Sequence, residues 1–134
     1  MIFVDANVPM YLIGRPHPHK LDAQAAVERL IADRQRLVTS SEVLQEILHR
    51  YASTGRREKI QPAFDVLEAI VDETFAVERD DVQLAREVHA AHPNGELSVR
   101  DAVHVAVMRR RQITEILSFD GGFDIVEGIA RLPS

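Results

Sequence analysis

The sequence predicts an α/β fold built on a central parallel sheet of four to five strands. Three observations carry that expectation. The chain opens on Ile2, Phe3 and Val4, an unbroken apolar run that suits a strand covered on both faces. Strand-like runs then alternate with segments of helical periodicity, which implies parallel strands joined by right-handed crossovers. Two of the strand-like runs lead into a carboxylate, Asp5 after Val4 and Asp120 after Ile116 and Leu117. In such sheets ligands bind outside the carboxyl ends of the strands, near a switch in strand order.

The remaining elements follow in order. Val8, Pro9 and Met10 begin a helix if Asn7 caps it, Asn7 otherwise standing as a neighbour of Asp5. GRPHPHK, Gly14 to Lys20, is broken by Pro16 and Pro18 and reads as an exposed loop, with His17 and His19 solvated. From Leu21 to Ala32, residues Leu21, Ala25, Val27, Leu30 and Ile31 fit a helix. RLVTS, Arg36 to Ser40, predicts the second strand. SEVLQEILHRY predicts a helix with Val43, Leu44, Ile47, Leu48 and Tyr51 as its apolar stripe. A helix over Ile60 to Val71, a third strand over Phe75 to Glu78 and a helix over Val82 to Ala91 come next, the last stopped by the turn residues of HPNG. Val99 to Arg111 is helical, and within it only His104 interrupts the small and apolar run after Asp101, so this helix is buried. EILSFD ends the fourth strand and GIARL holds a last short one.

A chain of 134 residues is expected to form one domain, residues 1–134, with a sizeable core. The absence of cysteine excludes disulfides, thiolate metal sites and cysteine nucleophiles. No apolar stretch has membrane-spanning length, and no basic region precedes the apolar opening as in a secretory signal, so a cytoplasmic protein is expected. The net charge of −5 argues weakly against nucleic acid, but acids clustered in one site can hide basic patches elsewhere. Fourteen of the sixteen basic residues are arginine, the better fork for phosphate oxygens.

Each acid also has a plain structural role open to it. Ser98 and Asp101 have the spacing of a capping box, as do Thr39 and Glu42. Glu46 can pair with Arg50 one turn on, although Glu42 and Glu46 repel each other at i and i+4. Asp120 and Asp124 flank GGF and would suit a simple turn. Together these readings strain, because acids gathered at strand ends raise one another's pKa unless a cation is present. Hard oxygen donors without cysteine point to Mg²⁺ or Mn²⁺. On this reading Asp5 ends its strand as a metal ligand.

The residues resemble a known family, the PIN-domain ribonucleases, and in particular the VapC toxins of bacterial toxin–antitoxin pairs. MIFVDANV is similar to the family's opening strand with its first acid and the Asn two residues on. VTSSEVLQEIL resembles its second strand and helix, with Glu46 rather than Glu42 at the acidic position. LSVRDAVHVAVM resembles the segment bearing the third acid, Asp101, and ILSFDGGFD with GIARL the closing segment, with Asp120 as fourth acid and Asp124 accessory. The resemblance implies a PIN-like three-layer α/β/α fold and metal-dependent hydrolysis of RNA phosphodiesters, in tRNA or ribosomal RNA, leaving 5′-phosphate and 3′-hydroxyl ends. Asp5, Asp101 and Asp120 are then direct ligands of one or two Mg²⁺ or Mn²⁺ ions, Glu46 acts through water, and Asn7, Glu42 and Asp124 support them. Arg56, Arg57, Arg109, Arg110 and Arg111 are candidates for the RNA backbone. A VapB-type antitoxin that blocks the site, and a homodimer, are also implied.

Three rival readings fit these residues less well. A receiver-type signalling domain needs a lysine beyond a late strand, and none occurs after Lys59. A haloacid-dehalogenase-type phosphatase needs a second aspartate where Asn7 stands. A PIN-fold domain that only binds a partner would not need the full set of acids.

Overall fold

The computed structural model describes residues 1–133. Five strands, β1 (Ile2–Val4), β2 (Leu37–Ser40), β3 (Glu73–Phe75), β4 (Glu115–Leu117) and β5 (Ala130–Leu132), form one sheet in the order β3-β2-β1-β4-β5. All neighbouring pairs are parallel, with Phe3 opposite Val38 on one side and Ile116 on the other. β1 is thus the central strand, and each of its residues is at most 2% exposed. A parallel sheet must be roofed on both faces, which is why IFV shows no polar alternation.

The helices are α1 (Asn7–Leu12), α2 (Pro18–Ala32), α3 (Ser41–Ser53), α4 (Ile60–Ile70), α5 (Arg79–Ala90) and α6 (Val99–Arg110). The chain runs from β1 outward to β3 and then crosses back to β4. With right-handed crossovers this puts α1 to α4 on one face and α5 and α6 on the other, the three-layer α/β/α arrangement. The reversal between β1 and β4 is the switch point, and Asp5 and Ser118 to Asp120 leave the sheet there. α6 is buried at Ala102 and from His104 to Met108, as its nearly continuous apolar run requires.

Several sequence expectations shift. The helix expected from Leu21 begins at Pro18, so part of the proline–histidine loop is helical. His17 supplies its N-cap, with Nδ1 accepting from the His19 amide at 3.0 Å, and Pro18 stands where no helical N–H is needed. β3 ends at Phe75 instead of beginning there. The residues beyond it turn into α5, which starts at Arg79, three residues before the expected Val82. Glu78 and Asp81 form a reciprocal capping box that sets this start. Asn7 is not a cap: α1 has Ala6 at that position, with no side-chain cap bond. The Thr39–Glu42 capping box is also absent. Thr39 Oγ1 donates to the Val4 carbonyl at 2.9 Å, and Glu42 pairs with Arg100.

Candidate metal centre

Asp5 occupies the first position after the central strand, and the residue is only 3% exposed. Oδ1 accepts from the Ala6 amide at 2.7 Å and Oδ2 from the Ser118 hydroxyl at 2.7 Å. The Asn7 amide reaches Asp5 Oδ2 at 3.5 Å and Ser118 Oγ at 3.2 Å, while Asn7 Oδ1 accepts from the Phe119 amide. Ser118 Oγ also accepts from the Asp120 amide at 3.0 Å. The ends of β1 and β4 are therefore laced together through Asn7 and Ser118, which fixes the orientation of Asp5.

α3 and α6 bring further groups to the same edge. Glu46, in the second turn of α3, is 7% exposed, and His104 of α6 is fully buried. His104 Nε2 lies 3.2 Å from Glu46 Oε1 and 3.7 Å from Asp5 Oδ1. One donor atom from each of Asp5, Glu46 and His104 falls within 4.8 Å of the others. Glu46 also receives Arg50 at 3.5 Å, the i to i+4 pair anticipated from sequence. One turn back, Arg100 of α6 reaches Glu42 at 3.3 Å, a second rung between the two helices.

The electrostatics are those of a crowded anionic site. Burial pushes the Asp5 carboxyl up, and Glu46 adds to the rise against the opposing pull of His104. Asp101, on the first turn of α6, is pushed up to about 7, by burial first and by the Asp5 charge next, with Asp120 and Glu46 contributing. Burial also acts to raise Glu46, but the His104 hydrogen bond and the surrounding cations hold it below the usual carboxylate range. For His104 burial acts to lower the pKa and the Glu46 bond and Asp5 charge prevail, raising it. The site is thus an anionic cluster held together in part by an imidazole whose other nitrogen, Nδ1, is buried without a partner.

Asp5, Asp120 and Glu46 lie near enough to Asp101 for their charges to act on it, though the tightest grouping is Asp5, Glu46 and His104. Asp101 also serves the cap, its amide donating to Ser98 Oγ at 3.0 Å, so the structural and chemical readings hold together. Asp120 caps the short 3₁₀ turn Gly121–Ile125 through the Gly122 amide. Asp124 turns away to Arg131, bonded at 2.8 and 3.0 Å. The arginines also divide. Arg110 and Arg111 both reach buried Asp81, and Arg109 bonds the Glu127 carbonyl, whereas Arg56 and Arg57 are exposed beyond α3. Sequence reasoning missed His104 and Ser118 as parts of the site. The signal was present: His104 is the one polar residue inside an apolar helical run, and Ser118 the first polar residue after an apolar strand.

This donor set fits a divalent cation. Carboxylates that raise one another's pKa are what a hard cation relieves, and here His104 holds Glu46 by a hydrogen bond beside them. A sheet of this order with acids gathered at its switch point defines a class, and the comparisons agree. The PIN domain family model matches residues 2–129, and the chain belongs to the PIN-domain family. Within it the chain is of the VapC type. It is 54% identical over 132 residues to ribonuclease VapC13 of Mycobacterium tuberculosis, covering 98% of this chain and 99% of that one. Ribonuclease VapC23 of the same species is 42% identical over 120 residues, 90% of this chain and 93% of the relative. Among solved structures, Mycobacterium tuberculosis VapC20, described as a sarcin–ricin-loop-cleaving toxin, superposes with a TM-score of 0.75 at 27% identity, covering 92% of this chain and 93% of that one. VapBC2 from Rickettsia felis shares the fold, with a TM-score of 0.74 at 15% identity over 98% of this chain and 97% of that one.

Proposed function

We propose that this VapC-type chain is a divalent-metal-dependent endoribonuclease, the toxin of a toxin–antitoxin pair, with tRNA or ribosomal RNA as substrate. The observation that carries the reading is the convergence of buried acids at the switch point of the sheet, with Asp101 pushed up to about 7 beside Asp5. Asp5, Asp101 and Asp120 would hold Mg²⁺ or Mn²⁺, with Glu46 acting through water. When bound, the ion supplies charge stabilisation at the phosphate and a hydroxide-like nucleophile near neutral pH. The chain's own part is to keep the acceptors aligned. Ser118 and Asn7 fix Asp5 by hydrogen bonds, and His104 steadies Glu46 against Asp5. Asp124 and Glu42 support from a distance, through Arg131 and Arg100.

A VapB-type antitoxin is the partner that this family membership supports, and a homodimer the assembly. No helix among the described residues is long and apolar enough to cross a membrane. A domain that binds a partner without catalysis is disfavoured by the intact group of acids.

The test is cleavage of RNA by the purified protein. Mg²⁺ or Mn²⁺ should support cutting and EDTA should stop it. Asp5→Ala and Asp101→Ala should each lower the rate by at least about 100-fold, the scale of lost electrostatic stabilisation at a reacting centre, while the circular dichroism of the fold is kept. Cutting at the wild-type rate in either variant overturns the reading.

A further inference from the structure

A cleft of about 600 Å³ opens beside the acidic site, and nothing in the chemistry so far uses it. Asn7 and Arg50 line its inner end, and these residues touch Asp5 and Glu46, so the cleft is continuous with the centre. Its cations are Arg15, Arg50, Arg56 and Lys59, against a single carboxylate, Glu58. That is a local excess of positive charge in a chain whose net charge is −5. Arg15, Arg56 and Lys59 form no ion pair within 4.0 Å among the described residues, so their charges are available to a ligand.

The wall of the cleft is aromatic. Tyr11 and His17 stack with ring centres 5.3 Å apart at 24°, and behind them His19 and Phe119 extend the cluster to the residue preceding Asp120. His17 is exposed, so part of the stack is open to solvent. A flat aromatic face beside unpaired cations is the pairing by which proteins hold single-stranded nucleic acid, the ring taking a base and the cations the backbone. The volume falls within the range of small-ligand sites and suits one nucleotide. A base held this way must be unpaired.

Resting on the ribonuclease reading, we propose that this cleft is the subsite for a single-stranded ribonucleotide adjoining the scissile phosphate. Its base extends the Tyr11–His17 stack, and its phosphate is held by Arg15, Arg56 and Lys59.

The experiment measures binding of a short single-stranded oligoribonucleotide containing 2-aminopurine to the full chain in EDTA, where no cutting occurs. Stacking on the aromatic wall quenches the probe. Wild type should bind with quenching. His17→Asn retains an N-cap residue for α2 while removing the ring, and should weaken binding roughly 10-fold with loss of quenching. Tyr11→Phe should retain both. Arg56→Ala, at an exposed position, should weaken binding and reduce the salt slope by about 0.7, one phosphate contact.

Wild-type affinity and quenching in His17→Asn and Arg56→Ala, with RNA still cut, overturn the subsite and leave the nuclease standing. If the variants instead lose only affinity for poly-glutamate, the cleft serves an acidic polypeptide and the proposal fails. If wild type neither binds nor cuts RNA, both readings fall together.

Discussion

His104 and Asp101 are one turn apart on α6, and together they set the character of the acidic site. His104 brings a proton donor between Glu46 and Asp5, while Asp101 adds a carboxyl pushed up to about 7. An acid raised on folding, from an unfolded value of about 3.9, takes up a proton as the chain folds. The metal-free protein should therefore lose stability as pH rises between about 4 and 7, and Asp5, also raised, acts in the same direction. Asp101→Asn should flatten this dependence and raise the melting temperature of metal-free protein at pH 8, while removing activity. Parallel melting curves against pH for variant and wild type would show that Asp101 does not carry the effect.

Between elements, Asp81 ties α5 to α6. It is fully buried, accepts Arg110 at 2.8 Å and Arg111 at 3.4 Å, and closes the capping box of α5 with the Glu78 amide at 2.8 Å. Burial acts to raise its carboxyl, but the Glu78 amide and the two arginines hold it below the usual range. Its stabilising contribution is present above pH 4 and is lost as pH falls through the lowered value. Asp81→Ala should cost about 2–3 kcal/mol, because it removes a cap and strips a buried charge from two arginines. Urea denaturation at pH 7 would read that loss, and a change below about 0.5 kcal/mol would mean that the arginines find equivalent partners. Arg110 and Arg111 thus hold helices together, and among the sequence candidates for RNA it is Arg56 that lies in the cleft beside the acids.

Across the whole molecule, the sheet order β3-β2-β1-β4-β5 draws residues from 5 to 120 to one edge, so a bound ion would be held by side chains from α3, α6 and the ends of β1 and β4. Binding to the folded state alone stabilises by mass action, about 2.7 kcal/mol at a hundredfold excess over Kd. Added Mg²⁺ or Mn²⁺ should raise the melting temperature by several degrees and EDTA should reverse the gain. Asp5→Asn should abolish the shift. An equal shift in the variant would place the ion elsewhere.

The sequence by itself determined the α/β class, the central strand and the acids that end or open its elements. Those features are local: an apolar run without alternation has to be covered on both sides, and a carboxylate at its end has to be compensated. Tertiary structure decided which neighbours do the compensating. Glu42 suited a cap and pairs with Arg100, and Asn7, for which the sequence leaves open a cap or a contact to Asp5, makes the contact and ties Asp5 to Ser118. His104 looked like an interruption and sits between two acids. Each of these contacts joins residues from different elements, or depends on how the ends of β1 and β4 lie side by side. Sequence spacing specifies what is near along one helix or strand; only the order of strands in the sheet specifies what meets across it.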